Sequence, residues 1–384
     1  MIYLDNAATS WPKPLQVSRA MDAFLTDVGG SPGRSSHRLA IEAGRIVYHA
    51  RELLAELFAV NDPLRILLGP NATYFLNLAL HGLLRPGDHV ITSSMEHNAV
   101  MRPLRYLERC GVDLTVLRCS KQGELNPLEV TRSIRPQTTM IVLNHSSNVT
   151  GGILSIAQMG QIARKHNLIF LVDAAQTAGV WPIDIEKESI DLLVFTGHKG
   201  LYGPPGTGGM VVGEHVKCDA MPPLILGGTG SRSSEEEQPD FLPDRYESGT
   251  PNTVGLAGLA AGIEYLFDKG IENIQHQNAQ LTAKLHGGLA EIPRVVIYGK
   301  PDFTSRTAIV SFNINGLAPS EVGLRLDEDY NIMCRVGLHC APAAHKTIGT
   351  FPIGTVRFSL GLYTTDHDIE QAIMAVTEIA RSVK

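Results

Sequence analysis

The feature that most constrains this chain is an alternation of short apolar runs with amphipathic segments through its first two thirds. Between many of the runs, apolar residues recur every three or four positions, as in residues 46–58 and 156–165, which indicates helices. Such alternation predicts an α/β fold with a mostly parallel sheet and helices on both of its faces. The predicted strands are 64–68, 89–93, 114–118, 138–143, 168–172, 191–196 and 209–212.

The alternation of apolar runs and amphipathic segments ends after Asn252, which indicates a second, smaller α+β domain. Its predicted elements are a long helix over 254–267, strands at 295–298 and 308–313, and a closing helix over 366–383 that Thr365 caps. The predicted organisation is a large domain over 12–253 and a small domain over 254–384, which the N-terminal segment 1–11 joins. The Ser- and Glu-rich stretch 231–238 is predicted to be a mobile loop.

Charge and hydropathy exclude several classes of protein. The chain has 33 Lys and Arg against 39 Asp and Glu, a net charge of −6, so no basic face for nucleic acid is expected. No apolar run approaches the ~18 residues of a membrane span, and no basic start leads into an apolar stretch. We therefore expect a cytoplasmic protein that binds neither nucleic acid nor membrane.

The cysteines are too few and too dispersed for a disulfide framework. They are Cys110, Cys119, Cys218, Cys334 and Cys340, and no two have C-x-x-C spacing. A metal site or a redox pair is therefore not expected, although one thiol is a candidate for reactivity.

Two polar residues follow apolar runs where a parallel sheet places its ligands. Asp173 ends the run 168–172, and Lys199 follows 191–196 through Gly197 and His198. An Asp at this edge suits the pyridinium nitrogen of a pyridoxal ring, and a Lys there suits an imine-forming amine. Considered separately, each has a commoner structural explanation, since Asp also caps helices and most lysines lie on the surface.

A third candidate is the Gly69-Pro70-Asn71-Ala72-Thr73 turn, where a strand leads into a helix. Free backbone N–H groups and the Thr73 hydroxyl would suit a phosphate, although many helices begin in this way. The chain has neither a G-x-x-x-x-G-K-[ST] motif nor a G-x-G-x-x-G motif after a strand, which disfavours nucleotides and dinucleotides.

The C-terminal third adds a thiol and an arginine. Cys340 lies in a loop with Arg335 and His339, either of which would favour its thiolate, but the local sequence by itself slightly favours an inert buried cysteine. Arg357 lies in an apolar run and needs a partner, which would be either a substrate carboxylate or an internal acid.

In combination these stretches resemble the class V pyridoxal-phosphate transferases and, among them, the group II cysteine desulfurases. The matching residues occur in the family's order from residue 3 to residue 357. They are Tyr3-Leu4-Asp5-Asn6-Ala7-Ala8, Glu96-His97-Asn98, Asn144-His145-Ser146-Ser147-Asn148, Val172-Asp173-Ala174-Ala175-Gln176, Gly197-His198-Lys199, Gly249-Thr250-Pro251-Asn252, Arg335-Val336-Gly337-Leu338-His339-Cys340-Ala341 and Arg357.

The resemblance implies pyridoxal-phosphate fold type I (aspartate aminotransferase-like), with a mostly parallel seven-stranded sheet in the large domain. It implies pyridoxal 5'-phosphate as the cofactor, with Lys199 forming the imine and Asp173 pairing with the ring nitrogen. The other implied cofactor contacts are His97 stacked on the ring, Gln176 and Asn148 at the ring oxygen, and Thr73, Thr196 and His198 at the phosphate.

The resemblance also implies shared sites and a sulfur-transfer reaction. Thr250 would reach the phosphate of a partner subunit, which implies a homodimer. Arg357, with Arg335 and Asn148, would bind the substrate, and Cys340 would take its sulfur as a persulfide, so that L-cysteine becomes L-alanine. A sulfur-acceptor protein is then an expected partner.

The sequence departs from the family pattern at Ala72, Gly200 and Ser248, which leaves alternatives open. One is a selenocysteine lyase acting on L-selenocysteine, and another is a different class V aminotransferase. A third is a catalytically silent sulfur-carrier scaffold, which the joint presence of Lys199, Asp173 and Arg357 disfavours. Cys334, six positions before Cys340, is predicted to serve packing only.

Overall fold

A computed structural model describes residues 1–33, 35–217 and 221–382. Cys218, and Val383 at the end of the last predicted helix, therefore lie outside the described residues. The helices are α1 (Leu15–Ala23), α2 (Arg38–Leu57), α3 (Ala72–Leu83), α4 (Asn98–Arg109), α5 (Pro127–Ser133), α6 (Ile156–Lys165), α7 (Thr253–Lys269), α8 (Ile271–Ala290), α9 (Pro319–Tyr330), α10 (Pro342–Ile348) and α11 (Asp366–Arg381). The strands are β1 (Ile2–Tyr3), β2 (Ile66–Gly69), β3 (His89–Ser93), β4 (Asp113–Leu117), β5 (Thr138–Asn144), β6 (Ile169–Asp173), β7 (Leu192–Thr196), β8 (Gly208–Val212), β9 (Val295–Tyr298), β10 (Ile309–Ile314), β11 (Ile332–Met333), β12 (Arg335–Gly337) and β13 (Thr355–Ser359).

The large sheet has seven strands in the order β2-β8-β7-β6-β5-β3-β4. The five strands from β7 to β4 in that order run parallel, whereas β8 runs antiparallel to both of its neighbours. The predicted mostly parallel, seven-stranded sheet is thus confirmed, with strand ends that differ from the prediction by at most two residues.

Both faces of this sheet are covered, which explains why its central strands are uninterrupted apolar runs. Phe170 and Val172 of β6 belong to one buried cluster, together with Leu54 of α2 and Leu259 of α7. Leu171 belongs to the opposite cluster, which contains residues of α3 and α4. Successive side chains of a strand point to opposite faces, so a strand that is buried on both faces has no polar alternation.

A second sheet, in the order β12-β13-β10-β9, is antiparallel and packs against α8, α9 and α11. The N-terminal strand β1 pairs with β11, and Asp5 bridges to Ser359 at the end of β13. Thr365 caps α11 in a capping box with Asp368, as predicted. The smaller α+β unit that the sequence predicts is therefore present.

The division into domains at residues 253 and 254 stays a prediction. Helix α7, which begins at this point, packs against α1 and α2 and buries Leu256, Leu259 and Ile263 in the core of the large sheet. In the described ranges, no helix combines the length and the apolar character needed to cross a bilayer. Residues 231–238 contain no helix or strand, and their mobility stays a prediction.

Candidate active site

The candidate site lies where the carboxyl ends of neighbouring parallel strands meet. Strands β5, β6 and β7 end at Asn144, Asp173 and Thr196 and are adjacent in the sheet. A cavity of about 230 Å³ opens at this edge. Its lining includes every predicted cofactor residue except Thr250, namely Thr73, His97, Asn148, Asp173, Gln176, Thr196, His198 and Lys199.

Asp173 and Lys199 lie close enough to influence each other's protonation. Burial raises the pKa of Asp173, while hydrogen bonding from the Ala175 N–H and the charge of Lys199 oppose that rise. Burial lowers the pKa of Lys199 to about 8, and the charge of Asp173 opposes this fall. Asp173 does cap a turn, since its Oδ1 accepts from Ala175 N at 2.9 Å, but it also lines the cavity with Lys199.

One end of the cavity has the features of an anion site. Thr73 lies in the first turn of α3, which Asn71 caps by accepting a hydrogen bond from Tyr74 N at 2.9 Å. The buried Thr196 Oγ1 and His198 Nδ1 have no hydrogen-bond partner in the described part of the chain. Burial lowers the pKa of His198 to about 4, so its imidazole is neutral at neutral pH.

His97 and Gln176, which are predicted to contact the cofactor ring, both line the cavity. His97 caps α4, and its Nδ1 accepts from Ala99 N at 3.0 Å, which orients the imidazole. Burial, together with the charge of Lys199, lowers the pKa of His97 to about 4. Gln176 Nε2 donates to the Ala7 carbonyl at 3.1 Å.

Arg357 is buried, and its guanidinium forms an ion pair with an internal acid, Asp5. Its Nη2 donates to Asp5 Oδ1 at 2.7 Å and its Nη1 to the Asn148 carbonyl at 3.0 Å. Of the two partners considered from sequence, the internal acid is therefore the one in place. Asp5 belongs to a motif that carries the family resemblance, but nothing in the sequence points to this pair, because 352 positions separate its members.

Cys340 lies in an exposed turn, which excludes the alternative of a buried cysteine, and the Arg335 side chain approaches it. The Arg335 Nη2 lies 3.5 Å from Cys340 Sγ. His339 does not supply the second positive charge that the sequence suggested, because burial lowers its pKa to about 2. Cys334 is a packed thiol whose pKa burial raises to about 12.

Thr250 does not line the 230 Å³ cavity with the other predicted cofactor residues of its own chain. It lines a second cavity, of about 500 Å³, together with Arg51, Tyr74 and Glu247. Arg51 and Glu247 form a buried ion pair there.

An N-terminal segment, residues 9–13, donates hydrogen bonds to the peptide carbonyls of His198 and Lys199, and the sequence analysis does not predict this contact. The His198 carbonyl accepts from Thr9 Oγ1 at 3.1 Å, Ser10 N at 3.0 Å, Ser10 Oγ at 3.2 Å and Lys13 Nζ at 2.8 Å. Ser10 Oγ also lies 2.8 Å from the Lys199 carbonyl. These contacts involve backbone acceptors, so side-chain chemistry in the sequence gives no signal for them.

The aminotransferase class-V family model matches residues 2–372, and the chain belongs to that family. A probable cysteine desulfurase of Methanothermobacter thermautotrophicus is 33% identical over 383 residues, which cover 99% of this chain and 94% of the relative. A cysteine desulfurase of Escherichia coli is 31% identical over 391 residues, which cover 99% and 94%.

Solved structures show the same fold. The apo structure of a cysteine desulfurase from Thermococcus onnurineus superposes with a TM-score of 0.93 at 33% identity, covering 99% of this chain and 94% of the other. The cysteine desulfurase CsdA from Escherichia coli gives 0.87 at 28% identity, covering 100% and 95%. The predicted pyridoxal-phosphate fold type I is confirmed.

Proposed function

We propose that this protein is a pyridoxal-phosphate-dependent cysteine desulfurase that converts L-cysteine to L-alanine and takes the sulfur on Cys340. The observation that carries the proposal is the combination of two features. Asp173 and Lys199 both line a cavity at the sheet edge, and an exposed thiol lies on a loop that Asn148 of the same cavity contacts. Family membership and the names of its relatives point to the same reaction.

The residues around the cavity fit pyridoxal 5'-phosphate. Four buried polar atoms of residues that line it have no partner among the described residues: Asn144 Oδ1, Asn148 Oδ1, Thr196 Oγ1 and His198 Nδ1. With Thr73 at the start of α3, the last two would hold the phosphate. Lys199 would hold the aldehyde carbon, Asp173 the ring nitrogen, Gln176 and Asn148 the ring oxygen, and His97 would stack on the ring.

When bound, this cofactor supplies an electron sink for the substrate's α-carbon. The chain's own part is to hold and move protons. Asp173 holds a proton at the ring nitrogen, and Lys199, with a pKa near 8, carries one to and from the α-carbon. The neutral imidazoles of His97 and His198 add no charge that would oppose the Lys199 ammonium.

Arg357 and Arg335 are proposed to bind the substrate carboxylate, with Asn148 beside them. The charges of both arginines lower the pKa of Lys199, which supports a common site for these three residues. Asp5 fixes the Arg357 side chain through its Nη2, and the buried Nε has no partner in the part of the chain that is described.

Sulfur transfer is proposed to use the Cys340 thiolate as nucleophile. Its Sγ forms an S–S bond to the substrate sulfur while the substrate Cβ–S bond breaks. The bonding electron pair of that bond stays on the substrate carbon, which takes a proton and becomes the methyl group of alanine. The Arg335 guanidinium 3.5 Å from Sγ would stabilise the attacking thiolate.

The working form is proposed to be a cytoplasmic homodimer that passes its persulfide to an acceptor protein. Thr250 lies in a separate cavity of its own chain, which supports a role at the phosphate of a partner subunit. Ile225 lines this cavity. An interface here would cover three consecutive exposed apolar residues, Leu224, Ile225 and Leu226.

The test is to supply L-cysteine or L-selenocysteine and to measure the alanine formed from each. Alanine from cysteine that depends on Cys340 supports the desulfurase. Alanine from selenocysteine alone would favour the lyase, since selenium leaves more readily and does not need the thiol. Alanine from neither substrate would exclude both.

A further inference from the structure

Asn148 contacts three separate parts of the site. Its side-chain Nδ2 donates to the His339 carbonyl at 2.7 Å, and its own carbonyl accepts from Arg357 Nη1 at 3.0 Å. Its Oδ1 is buried without a partner among the residues described, and the residue lines the 230 Å³ cavity. One side chain thus joins the cavity to the loop that carries the thiol.

The thiol loop, residues 337–341, needs hydrogen bonds from outside to hold it, because its backbone is strained. His339 and Cys340 are consecutive residues with φ of 48° and 58°, in the left-handed region that L-residues other than glycine avoid. Two hydrogen bonds from outside the loop hold its carbonyls: Asn148 Nδ2 to His339, and the Asn98 N–H to Cys340 at 2.8 Å. Only the first comes from a side chain that also lines the cavity.

We infer that Asn148 is a positioning residue for the thiol, which it links to the cavity by holding the His339 carbonyl. A group in the cavity that hydrogen-bonds to the Asn148 amide fixes the amide plane, so the occupied cavity and the ordered thiol loop stabilise each other. This coupling is reciprocal, as any linkage between two binding equilibria must be. It rests on the proposed function for the cofactor in the cavity and for the use made of the thiol, and its test does not measure turnover.

The test is hydrogen–deuterium exchange of residues 337–341 and of the Asn98 amide in the holoprotein. Two variants remove the donor: Asn148→Ala, and Asn148→Asp, which keeps the size of the side chain. The matched control is Asn144→Ala. Asn144 is also buried at the cavity, donates through Nδ2 to a backbone carbonyl (Met95, 2.9 Å), and has an unpartnered Oδ1 among the described residues.

We expect exchange at 337–341 and at Asn98 to rise about three- to ten-fold in both Asn148 variants, as the loss of one hydrogen bond implies. The Asn144 variant should leave these amides at the wild-type rate. In addition, pyridoxal 5'-phosphate added to protein freed of it should slow this exchange in the wild type but not in Asn148→Ala.

Unchanged exchange in both Asn148 variants would overturn the inference, and so would an equal rise in Asn144→Ala, which would indicate general loosening. Equal slowing by the cofactor in wild type and Asn148→Ala would overturn the coupling. None of these results depends on alanine formation, so failure of the proposed function would be seen separately.

Discussion

The protonation state of the Lys199 amine is set by two opposing effects of its surroundings. Burial favours the neutral amine and lowers its pKa from 10.5 to about 8, while the nearby Asp173 carboxylate favours the ammonium. At pH 7 about one-tenth of an amine with this pKa is neutral, far more than of an exposed lysine. The residue therefore has a nucleophilic fraction at neutral pH without a separate base.

A pH dependence of cofactor attachment follows. Only the neutral amine reacts with the aldehyde, so the attachment rate in cofactor-free protein should rise with pH and level off above about 8. Asp173→Asn removes the charge that holds the proton on Lys199, so the midpoint should move to lower pH. Stopped-flow absorbance over a pH series measures both midpoints, and Lys199→Ala should show no covalent attachment. A midpoint unchanged or higher in Asp173→Asn would contradict this account.

Cys340 and Cys334 form a natural comparison, because they are six positions apart and differ in burial. After treatment with L-cysteine, mass spectrometry should find one added sulfur on the Cys340 peptide and none on Cys334, whose thiol burial holds protonated.

Cys340→Ala should therefore lose at least about 100-fold in alanine formation from cysteine but keep the visible absorbance of the cofactor. Cys334→Ala should keep nearly the wild-type rate. A wild-type rate in Cys340→Ala, or sulfur found on Cys334, would contradict the proposed nucleophile.

At the scale of elements, the segment 9–13 fixes the strand-to-loop turn that carries Lys199. Lys13 Nζ donates to the His198 carbonyl and to Ser10 Oγ, both at 2.8 Å, and burial lowers its pKa to about 8. It forms no salt bridge within the described ranges, so its hydrogen bonds to this turn are its principal interactions.

We expect Lys13→Met to weaken cofactor binding about ten-fold, because one charge-assisted hydrogen bond to the turn is lost. Lys187→Met is the control, since Lys187 is exposed and its salt bridge to Asp184 lies on the surface. Absorbance titration gives both dissociation constants, and thermal melting shows whether the fold is retained. If the two variants bound the cofactor with equal affinity, the proposed role of Lys13 in fixing the turn would be wrong.

The same scale shows what the sequence could and could not predict. Strands buried on both faces, such as β6, leave an uninterrupted apolar run and were predicted to within two residues. The two-residue strands β1 and β11 carry no such pattern, because only their pairing defines them. Asp173 and Lys199 were predictable because strand ends locate them, whereas the Asp5–Arg357 pair and the Lys13 contact depend on tertiary closure between distant residues.

At the scale of the whole molecule, the site depends on both sheets. The large sheet supplies Asp173 and Thr196 at its carboxyl edge, and the small sheet supplies Arg357 from β13. The N-terminal segment connects them, since Asp5 holds Arg357 and Ser10 holds the Lys199 carbonyl. If Arg357 binds the substrate carboxylate as proposed, a change in how the two sheets pack would therefore alter substrate binding.

The proposed homodimer predicts complementation between two impaired variants. Lys199→Ala lacks the amine, and Thr250→Ala lacks the hydroxyl that is proposed to act in the partner's site, so each alone should turn over slowly or not at all. When the two are unfolded and refolded together, about half of the dimers contain one chain of each kind. In such a dimer one site has an intact Lys199 from its own chain and an intact Thr250 from the partner, while the other site lacks both. The mixture should therefore recover up to about one quarter of the wild-type alanine formation.

If Thr250 instead served its own chain, every site with an intact Lys199 would still carry the Thr250→Ala change, and mixing would recover nothing. Refolding each variant separately before mixing is the control, because preformed dimers that do not exchange should stay inactive.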